Sequence, residues 1–511
     1  MTMQSVRIAL FRIHTWIGLN TCILLGIMFL TGTLLVFAPE LENAFYAKTR
    51  SGEEPLGRYL TFGEIFDNVQ SAYPDTRIAN IIRSDVGALF GDRLQINTKW
   101  GEKALIWVDP GTGEILGASP LEGVRYMLLS FHDSLFTGKG IGQAIVSLLA
   151  FSLLVSLVTG LVAYRRFWRG LKTLPPRGRG QRPWWGGLHR FLAVWTLPFL
   201  VTVAVSGIYY FVVVLGVIPT KGAPIPDAAE REAALPAGFN GAMLDRAVAA
   251  ALAAAPGQEI SAVILPYNDR QGISFYGPTS GTIVNFATTR VIVDPQSAAV
   301  LAKVNPADFS PKNRAKHFFD ALHHGDWAGN YSRVAWLIFG AMGTVLMFSG
   351  AMVYASRVAR MPSAVTGRPP AGSAIRRTWD GMIVIKWALV PAAIIIVGIG
   401  AYRFALQDEK WLTIPTSGNQ AIPAKLQVLG PVHLGEPLSV RVIVDAPNLT
   451  EATVSADRKD SHTVSMTAEG QQSVIHLEYL PTNSANDIAV GVDNGAGGQV
   501  TLTWTLGRPI F

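Results

Sequence analysis

The chain has 511 residues, of which 49% are hydrophobic and only 15% are charged. This composition is too apolar for an ordinary soluble protein and too polar for one buried wholly in a bilayer, so it indicates a membrane protein with water-exposed domains. The net charge is +7, but the basic residues concentrate between apolar stretches, which favours cytoplasmic loops over nucleic-acid binding. The single cysteine, Cys22, excludes internal disulfides, thiolate-held iron–sulfur clusters and covalently attached c-type haem.

Five apolar stretches reach the roughly 20 residues that are needed to span a bilayer. The predicted transmembrane helices occupy residues 1–38, 131–165, 189–215, 317–356 and 381–403. Two basic loops, 166–188 and 357–380, follow the second and fourth of these segments. The positive-inside rule therefore predicts a cytoplasmic N-terminus and an external C-terminal tail.

The two segments predicted to lie outside the membrane share one pattern. Residues 61–74 and 240–255 each predict a short helix, followed by the strand-like runs RIANII and EISAVI. Each segment then has a β-hairpin, LIWVDPGTGEILG at 105–117 and RVIVDPQSAAVLA at 290–302, with Val-Asp-Pro at the turn. We predict two small α+β domains, at 39–130 and 216–316.

The C-terminal tail, residues 424–511, has a different pattern. Short runs of alternating apolar and polar residues, such as LSVRVIVDA and QVTLTWTL, are separated by turn residues. This spacing predicts a small β-sandwich of immunoglobulin-like type.

The internal repeat extends to the membrane helices. His14 precedes the glycine of LTG by 18 positions, and His189 precedes the glycine of VSG by 18 positions. The second and fourth helices end in LVTGLVAYRR and MFSGAMVYASR, and FHDSLF and LHHGDW lie ahead of them. The chain therefore contains two copies of one unit, which consists of a helix, an outer domain and a second helix.

Two copies in the same orientation are related by a pseudo-two-fold axis along the membrane normal. This axis places His14 and His189 at the same depth near the inner face, and His132 and His323 at the same depth near the outer face. If each pair faces the axis, it offers two imidazole nitrogens to one metal. His324 remains an alternative to His323, because aligning the two copies leaves a slip of one residue.

Two neutral imidazoles on opposite sides of one iron are the ligand set of a low-spin b-type haem, which requires no cysteine. Zinc would require four ligands in a small tetrahedron. A proton relay would usually include intramembrane carboxylates. We therefore predict two haem b groups. Four glycines would let a flat macrocycle or another helix approach closely, namely Gly32, Gly160, Gly207 and Gly350.

Several motifs resemble the PepSY-associated transmembrane family: HTWIG in the first helix, FHDSLF before the second, LHRFLAVWTLPF in the third and LHHGDWAG before the fourth. The VDPGTGEILG hairpin resembles the PepSY domain of that family. The resemblance covers about residues 5–358. The doubled histidine of LHHGDW, the fifth helix and the β-sandwich depart from the family pattern.

The family includes di-haem ferric-siderophore reductases of the bacterial inner membrane. The resemblance therefore implies an inner-membrane location, bis-histidine haems, and electron flow from the cytoplasm to the periplasm. Matched position by position, it implies four haem ligands, namely His14, His189, His132 and His323.

The expected fold is a membrane α-helical bundle of four core helices in two parallel repeats, plus a fifth helix, two periplasmic PepSY-like α+β domains and a C-terminal β-sandwich. The expected function is electron transfer from a cytoplasmic or quinol donor, through two haems, to a periplasmic ferric chelate such as a ferric siderophore. No side chain is expected to be catalytic by itself, and membrane lipids are the other expected partner. Two alternatives stay open: a membrane-anchored PepSY binding or regulatory protein, and a siderophore or metal transporter without redox activity.

Overall fold

A computed structural model of the chain contains a bundle of long apolar helices, one large antiparallel sheet and a separate β domain. The structure describes residues 3–45, 58–74, 76–83, 91–97, 103–120, 123–138, 140–164, 166–176, 178, 180–218, 231–278, 289–305, 309–358, 374–382, 394, 396, 398, 411–414, 423–429, 437–446, 449–456, 462–480, 487–493 and 499–505. The helices in these ranges are α1 (Met3–Val36), α2 (Ala38–Phe45), α3 (Phe62–Ala72), α4 (Val124–Ser134), α5 (Ile141–Ala163), α6 (Gln181–Trp195), α7 (Leu197–Val214), α8 (Gly241–Ala254), α9 (Pro311–His324), α10 (Gly329–Val358) and α11 (Ala374–Gly381).

Among the described residues, four helices are long and apolar enough to cross a membrane: α1, α5, α7 and α10. Helix α1 packs against α5 and α10, and α5 packs against α7. Even the shortest of the four, α7 with 18 residues, rises about 27 Å, which is close to the thickness of a bilayer's hydrocarbon core. The chain is therefore a multi-pass membrane protein. The predicted fifth helix, 381–403, lies almost entirely outside the described residues.

The second, third and fourth predicted transmembrane segments are each divided into two helices. The third segment breaks at Thr196, between α6 and α7, where Pro198 lies in the first turn of α7 and cannot donate a backbone hydrogen bond to α6. Helices α4 and α9 end before α5 and α10 begin, and left-handed residues close them: Leu135 with φ 50° and Gly325 with φ 73°. The boundaries therefore differ from those predicted, and three of the four candidate histidines lie on short helices.

Eight strands form a single antiparallel sheet in the order β4-β3-β2-β1-β5-β6-β7-β8. These strands are β1 (Arg77–Ile82), β2 (Asp92–Asn97), β3 (Lys103–Val108), β4 (Ile115–Pro120), β5 (Ala262–Ile264), β6 (Ile273–Tyr276), β7 (Arg290–Val293) and β8 (Val300–Val304). Each segment supplies four strands, and β1 joins β5 with Ile81 opposite Val263. The two segments predicted as separate domains thus share one sheet. This pairing satisfies the backbone groups that two separate edge strands would leave open.

Helices α3 and α8 cover one face of this sheet and bind each other's N-termini. Asp67 of α3 accepts a hydrogen bond from the backbone N–H of Gly241 at 2.7 Å. Asp245 of α8 accepts from the backbone N–H of Gly63 at 2.9 Å and from the Thr61 hydroxyl at 2.7 Å. These bonds satisfy helix N–H groups that have no partner within their own helix. These hydrogen bonds join the two halves of the sheet through the helices that cover their shared hydrophobic core.

The C-terminal region forms two further antiparallel sheets, in the orders β14-β15-β11-β10-β9 and β13-β12-β16-β17. Their strands are β9 (Trp411–Ile414), β10 (Ala424–Leu429), β11 (Leu438–Val444), β12 (Glu451–Ala456), β13 (His462–Ser465), β14 (Thr467–Glu469), β15 (Gln472–Tyr479), β16 (Asp487–Asp493) and β17 (Gln499–Thr505). Buried residues of both sheets, including Val442 and Trp504, belong to one hydrophobic core. The region is therefore a β domain built from two packed sheets.

Candidate functional site: two facing histidine pairs

The structure brings the four candidate histidines together as two pairs. The ring centroids of His14 and His189 lie 6.3 Å apart, with an angle of 71° between the ring planes. Those of His132 and His323 lie 6.4 Å apart, with an angle of 55°. Each pair joins one histidine from each copy of the repeat, as the pseudo-two-fold axis requires.

The pairs occupy opposite ends of the bundle. We call the pair His14–His189 the basic-end pair, because the basic stretch around Arg166–Lys172 lies at this end, and His132–His323 the sheet-end pair, because the chain enters and leaves the eight-stranded sheet there. Helix α1 contacts both: it carries His14, and its Thr31 binds His132. The 17 residues from His14 to Thr31 rise about 26 Å, so the two pairs are separated by most of a bilayer's thickness.

At the sheet-end pair, a hydroxyl group fixes the proton position of each histidine. Ser206 Oγ lies 2.8 Å from His323 Nδ1 and donates its single proton to the Thr202 carbonyl at 2.8 Å. With its proton on that carbonyl, the oxygen accepts the Nδ1–H of His323. Thr31 Oγ1 has the same arrangement: it donates to the backbone of α1 and lies 3.1 Å from His132 Nδ1. This hydrogen-bond network assigns the proton of both rings to Nδ1.

The basic-end pair is fixed in the same tautomer. Ser349 Oγ donates to the Leu346 carbonyl at 2.7 Å and lies 2.9 Å from His189 Nδ1. His14 differs, because its Nδ1 lies 2.9 Å from the backbone carbonyl of Ser156, while the Thr159 hydroxyl is farther away at 3.4 Å. A carbonyl can only accept, so His14 also donates from Nδ1. In all four rings, Nε2 therefore keeps the lone pair that a metal ligand needs.

Glycines of the first repeat provide space for imidazoles. A methyl group added at Gly32 would lie 2.8 Å from Cε1 of His132, and one added at Gly160 would lie 3.1 Å from Cε1 of His14. Real side-chain contacts are rarely that short, so each histidine ring rests against bare backbone.

The two glycines of the second repeat have different neighbours: one lies beside a histidine and the other beside a neighbouring helix. A methyl group at Gly350 would lie 3.4 Å from Cε1 of His189, which is an ordinary contact distance. One at Gly207 would lie 2.7 Å from the Cβ of Ala150, so this glycine allows helix α5 to approach α7. The sequence had suggested both uses, a flat ring or a neighbouring helix, without saying which glycine served which.

His323 and His324 are placed differently. The ring of His323 faces His132 and is half-buried, whereas His324 is exposed and its centroid lies 5.9 Å from that of His323. The structure thus places His323, the residue favoured by the alignment of the two copies, opposite His132.

The donor set fits a bis-histidine haem. Two imidazoles that bind one first-row metal from opposite sides, each with its nitrogen about 2.0–2.1 Å from the metal, have ring centroids roughly 6 Å apart. Both pairs have this separation, and in each ring the hydrogen bond of Nδ1 leaves Nε2 as the nitrogen available to a metal. Metal-bound histidines generally donate their other N–H to an oxygen of the protein, and Ser206, Thr31, Ser349 and the Ser156 carbonyl offer such an oxygen here.

The hydroxyl residues were missed by the sequence reasoning. Each of the four glycines follows a serine or threonine, giving Thr31–Gly32, Thr159–Gly160, Ser206–Gly207 and Ser349–Gly350. The signal was therefore present as a Ser/Thr-Gly dipeptide repeated once in every spanning helix. Only the glycines were given a role.

Comparison with known proteins adds a family and one relative. The sequence profile of the PepSY-associated TM region matches residues 11–357, which include all four histidines. The uncharacterized protein PA4219 of Pseudomonas aeruginosa is 37% identical over 81 residues, which is 16% of this chain and 20% of that protein. The aligned part thus spans about a fifth of the relative's length.

Proposed function

Because the chain belongs to the PepSY-associated TM family, and because its histidines form two facing pairs at opposite ends of a membrane bundle, we propose that it carries electrons across a membrane between two bis-histidine haems. The observation that supports this proposal most directly is the pair of centroid distances, 6.3 and 6.4 Å, in rings that all present Nε2. His14 and His189 would hold one haem b, and His132 and His323 the other. When bound, these groups would supply one-electron redox chemistry.

Two groups of residues support the pairs: those that bind the rings and those that lie between the two pairs. Ser206, Thr31, Ser349 and the Ser156 carbonyl orient the rings and increase their basicity as ligands by accepting the Nδ1–H bonds. Apolar side chains from α1, α5, α7 and α10 fill the bundle between the two pairs, including Leu25, Phe29, Leu153 and Leu346. This core excludes water and lowers the local dielectric constant, which strengthens the effect of nearby charges on a redox centre.

The proposed substrate is a ferric chelate, such as a ferric siderophore, reduced at the sheet end. One electron converts ferric to ferrous iron, which binds hard oxygen ligands less tightly and is more readily released. We propose that the basic end faces the cytoplasm, since loops rich in arginine and lysine are retained there, and that the sheet lies in the periplasm of a bacterium's inner membrane. The electron donor would be a cytoplasmic protein or a membrane quinol.

The test uses the full chain purified in detergent from haem-replete cells. After reduction by dithionite and removal of the excess, ferric citrate is added while the haem absorption bands and ferrous iron are followed together. We expect sharp bands typical of low-spin haem that return to their oxidised positions as one ferrous iron appears for each electron lost. A colourless protein would contradict the proposal and favour a PepSY binding protein or a transporter without redox activity.

A further inference from the structure

A charged network lies beside one histidine of the sheet-end pair. Asp320 is on α9, one turn before His323, and is only 8% exposed. It accepts a hydrogen bond from the Tyr210 hydroxyl at 2.9 Å and forms an ion pair with Lys316, four residues earlier on the same helix. A buried carboxylate usually has such partners, because burial without them is costly.

Tyr210 connects this network to the histidine ring. Its ring centroid lies 5.2 Å from that of His323, with an angle of 75° between the planes, so the two rings meet edge to face. Tyr210 lies on α7, four residues after Ser206, which binds His323 Nδ1. The same helix therefore contacts His323 twice, one turn apart. Asp320 holds the Tyr210 hydroxyl and so fixes the second of these contacts.

The first repeat lacks two of the three members of this network at the matching positions, because only Lys316 has a counterpart of like charge, Arg125, which lies seven residues before His132. Leu129 lies three residues before His132, as Asp320 lies three before His323. Leu35 lies four residues after Thr31, as Tyr210 lies four after Ser206. Two leucines therefore stand where the second repeat has a carboxylate and a phenol, and the pseudo-two-fold symmetry is broken beside a single ligand.

We propose that Lys316, Asp320 and Tyr210 are positioning residues that hold the imidazole of His323, and that the Asp320 carboxylate lowers the reduction potential of the sheet-end haem while Lys316 offsets part of this effect. The side chain of Asp320 is 11% exposed and that of Lys316 is 37% exposed, and Asp320 is the closer of the two to His323 along α9. We therefore expect the carboxylate to have the larger effect at the ring, where a negative charge favours the ferric state. A lower potential makes this centre a stronger reductant toward a ferric chelate. The inference rests on the proposed function.

Redox titration of the purified full chain, followed by haem absorption, tests the proposal. The His14→Ala background retains only the sheet-end haem and so assigns its midpoint. In the chain that keeps both haems, we expect Asp320→Asn to shift the sheet-end midpoint upward. Lys316→Met, measured at pH 8, should shift it downward. The basic-end midpoint should stay unchanged in both variants. Asp320→Glu keeps the negative charge, so its sheet-end midpoint should equal that of the unmodified chain. Leu129→Asn is the matched control, which changes the equivalent position without altering charge and should move neither midpoint.

A second readout detects the positioning role. Tyr210→Phe removes the hydroxyl held by Asp320 but keeps the ring, so the low-spin electron paramagnetic resonance signal of the sheet-end haem should change while the basic-end signal does not. Unchanged midpoints in Asp320→Asn and Lys316→Met, with both haems bound and unchanged resonance in Tyr210→Phe, would overturn the inference and leave the proposed function intact. Absence of haem from the unmodified chain would overturn both.

Discussion

The two histidine pairs are alike in their ligands and different in their surroundings. Each joins His residues from two repeats at nearly the same separation, 6.3 and 6.4 Å. At the basic end, one ring is held by a backbone carbonyl and the other by Ser349. At the sheet end, both rings are held by hydroxyl groups, and one also contacts the Tyr210–Asp320–Lys316 network. Duplication thus preserves the paired histidines and the hydrogen bonding of Nδ1, while the adjacent residues differ between the two pairs.

The largest expected effect comes from filling the space beside a ligand. Gly32→Ala places a methyl group 2.8 Å from Cε1 of His132, so the ring must move and the sheet-end haem should be lost. Gly350→Ala, at a glycine that contacts the basic-end pair, meets His189 at 3.4 Å and should be tolerated. Haem content and the absorption spectrum of each variant provide the measurement. Equal haem loss in both variants would contradict the difference drawn between the two contacts.

The acceptors of the basic-end pair permit a sharper comparison. Ser349→Ala removes the only hydroxyl within 3 Å of His189 Nδ1 among the described residues, and should weaken haem binding about 10–100-fold. Thr159→Val should have little effect, because His14 keeps the Ser156 carbonyl at 2.9 Å. Haem transfer to apomyoglobin measures the difference in retention. If Thr159→Val loses haem as fast as Ser349→Ala does, the Ser156 carbonyl does not hold His14.

The two halves of the sheet offer a comparison that is independent of haem. Asp245→Ala removes two hydrogen-bond acceptors from the start of α3, whereas Asp67→Ala removes one from the start of α8. Each lost helix-cap interaction costs about 1 kcal/mol, so Asp245→Ala should increase local opening more. Amide hydrogen exchange of α3 and α8 in the full chain measures this. Greater opening in Asp67→Ala would contradict the expected order.

The smallest effect concerns pH. A hydrogen bond from Arg58, aided by the backbone N–H of Thr61, lowers the pKa of Glu64 from 4.5 to about 2. A lowered pKa means that the contribution to stability is complete above pH 4.5 and is lost as the pH falls toward 2. Because Glu64 is solvent-exposed, the effect on α3 should be slight.

Helix α8 is the reference for this effect, since its N-cap is the non-ionisable Asn240, and the contact of Asp67 with Gly241 at its start is the same in the unmodified chain and in Glu64→Gln. The ratio of amide exchange in the first turn of α3 to that of α8 should rise as the pH falls from about 5 to about 2.5, and Glu64→Gln should remove this rise. An identical pH dependence in the unmodified chain and in Glu64→Gln would exclude the carboxylate as the cause.

The sequence identified which histidines form pairs because the duplication places them at equivalent positions. His14 and His189 stand 18 residues before equivalent glycines, and that regularity places them at one depth without any structure. Whether the pairs bind haem stays a prediction. The pairing of β1 with β5 was not predicted, because edge pairing between two similar units leaves no mark in the periodicity of either strand.

Other features needed three-dimensional contacts. The break at Thr196 had a local signal in Pro198, but an apolar run passes through it and hides the division. The contact of Tyr210 with Asp320 joins residues 110 positions apart, and neither residue is repeated in the first copy. The internal repeat in the sequence reveals the residues that the two copies share, but it gives no sign of the residues that make the copies differ.

The most direct test of the account is the number of haems per chain in the full-length purified protein, measured beside His14→Ala and His323→Ala. We expect two haems in the unmodified chain and one in each variant, with different absorption spectra for the two that remain. No haem in protein from haem-replete cells, or two haems retained in both variants, would show that these facing imidazoles are not the ligands of a transmembrane electron path.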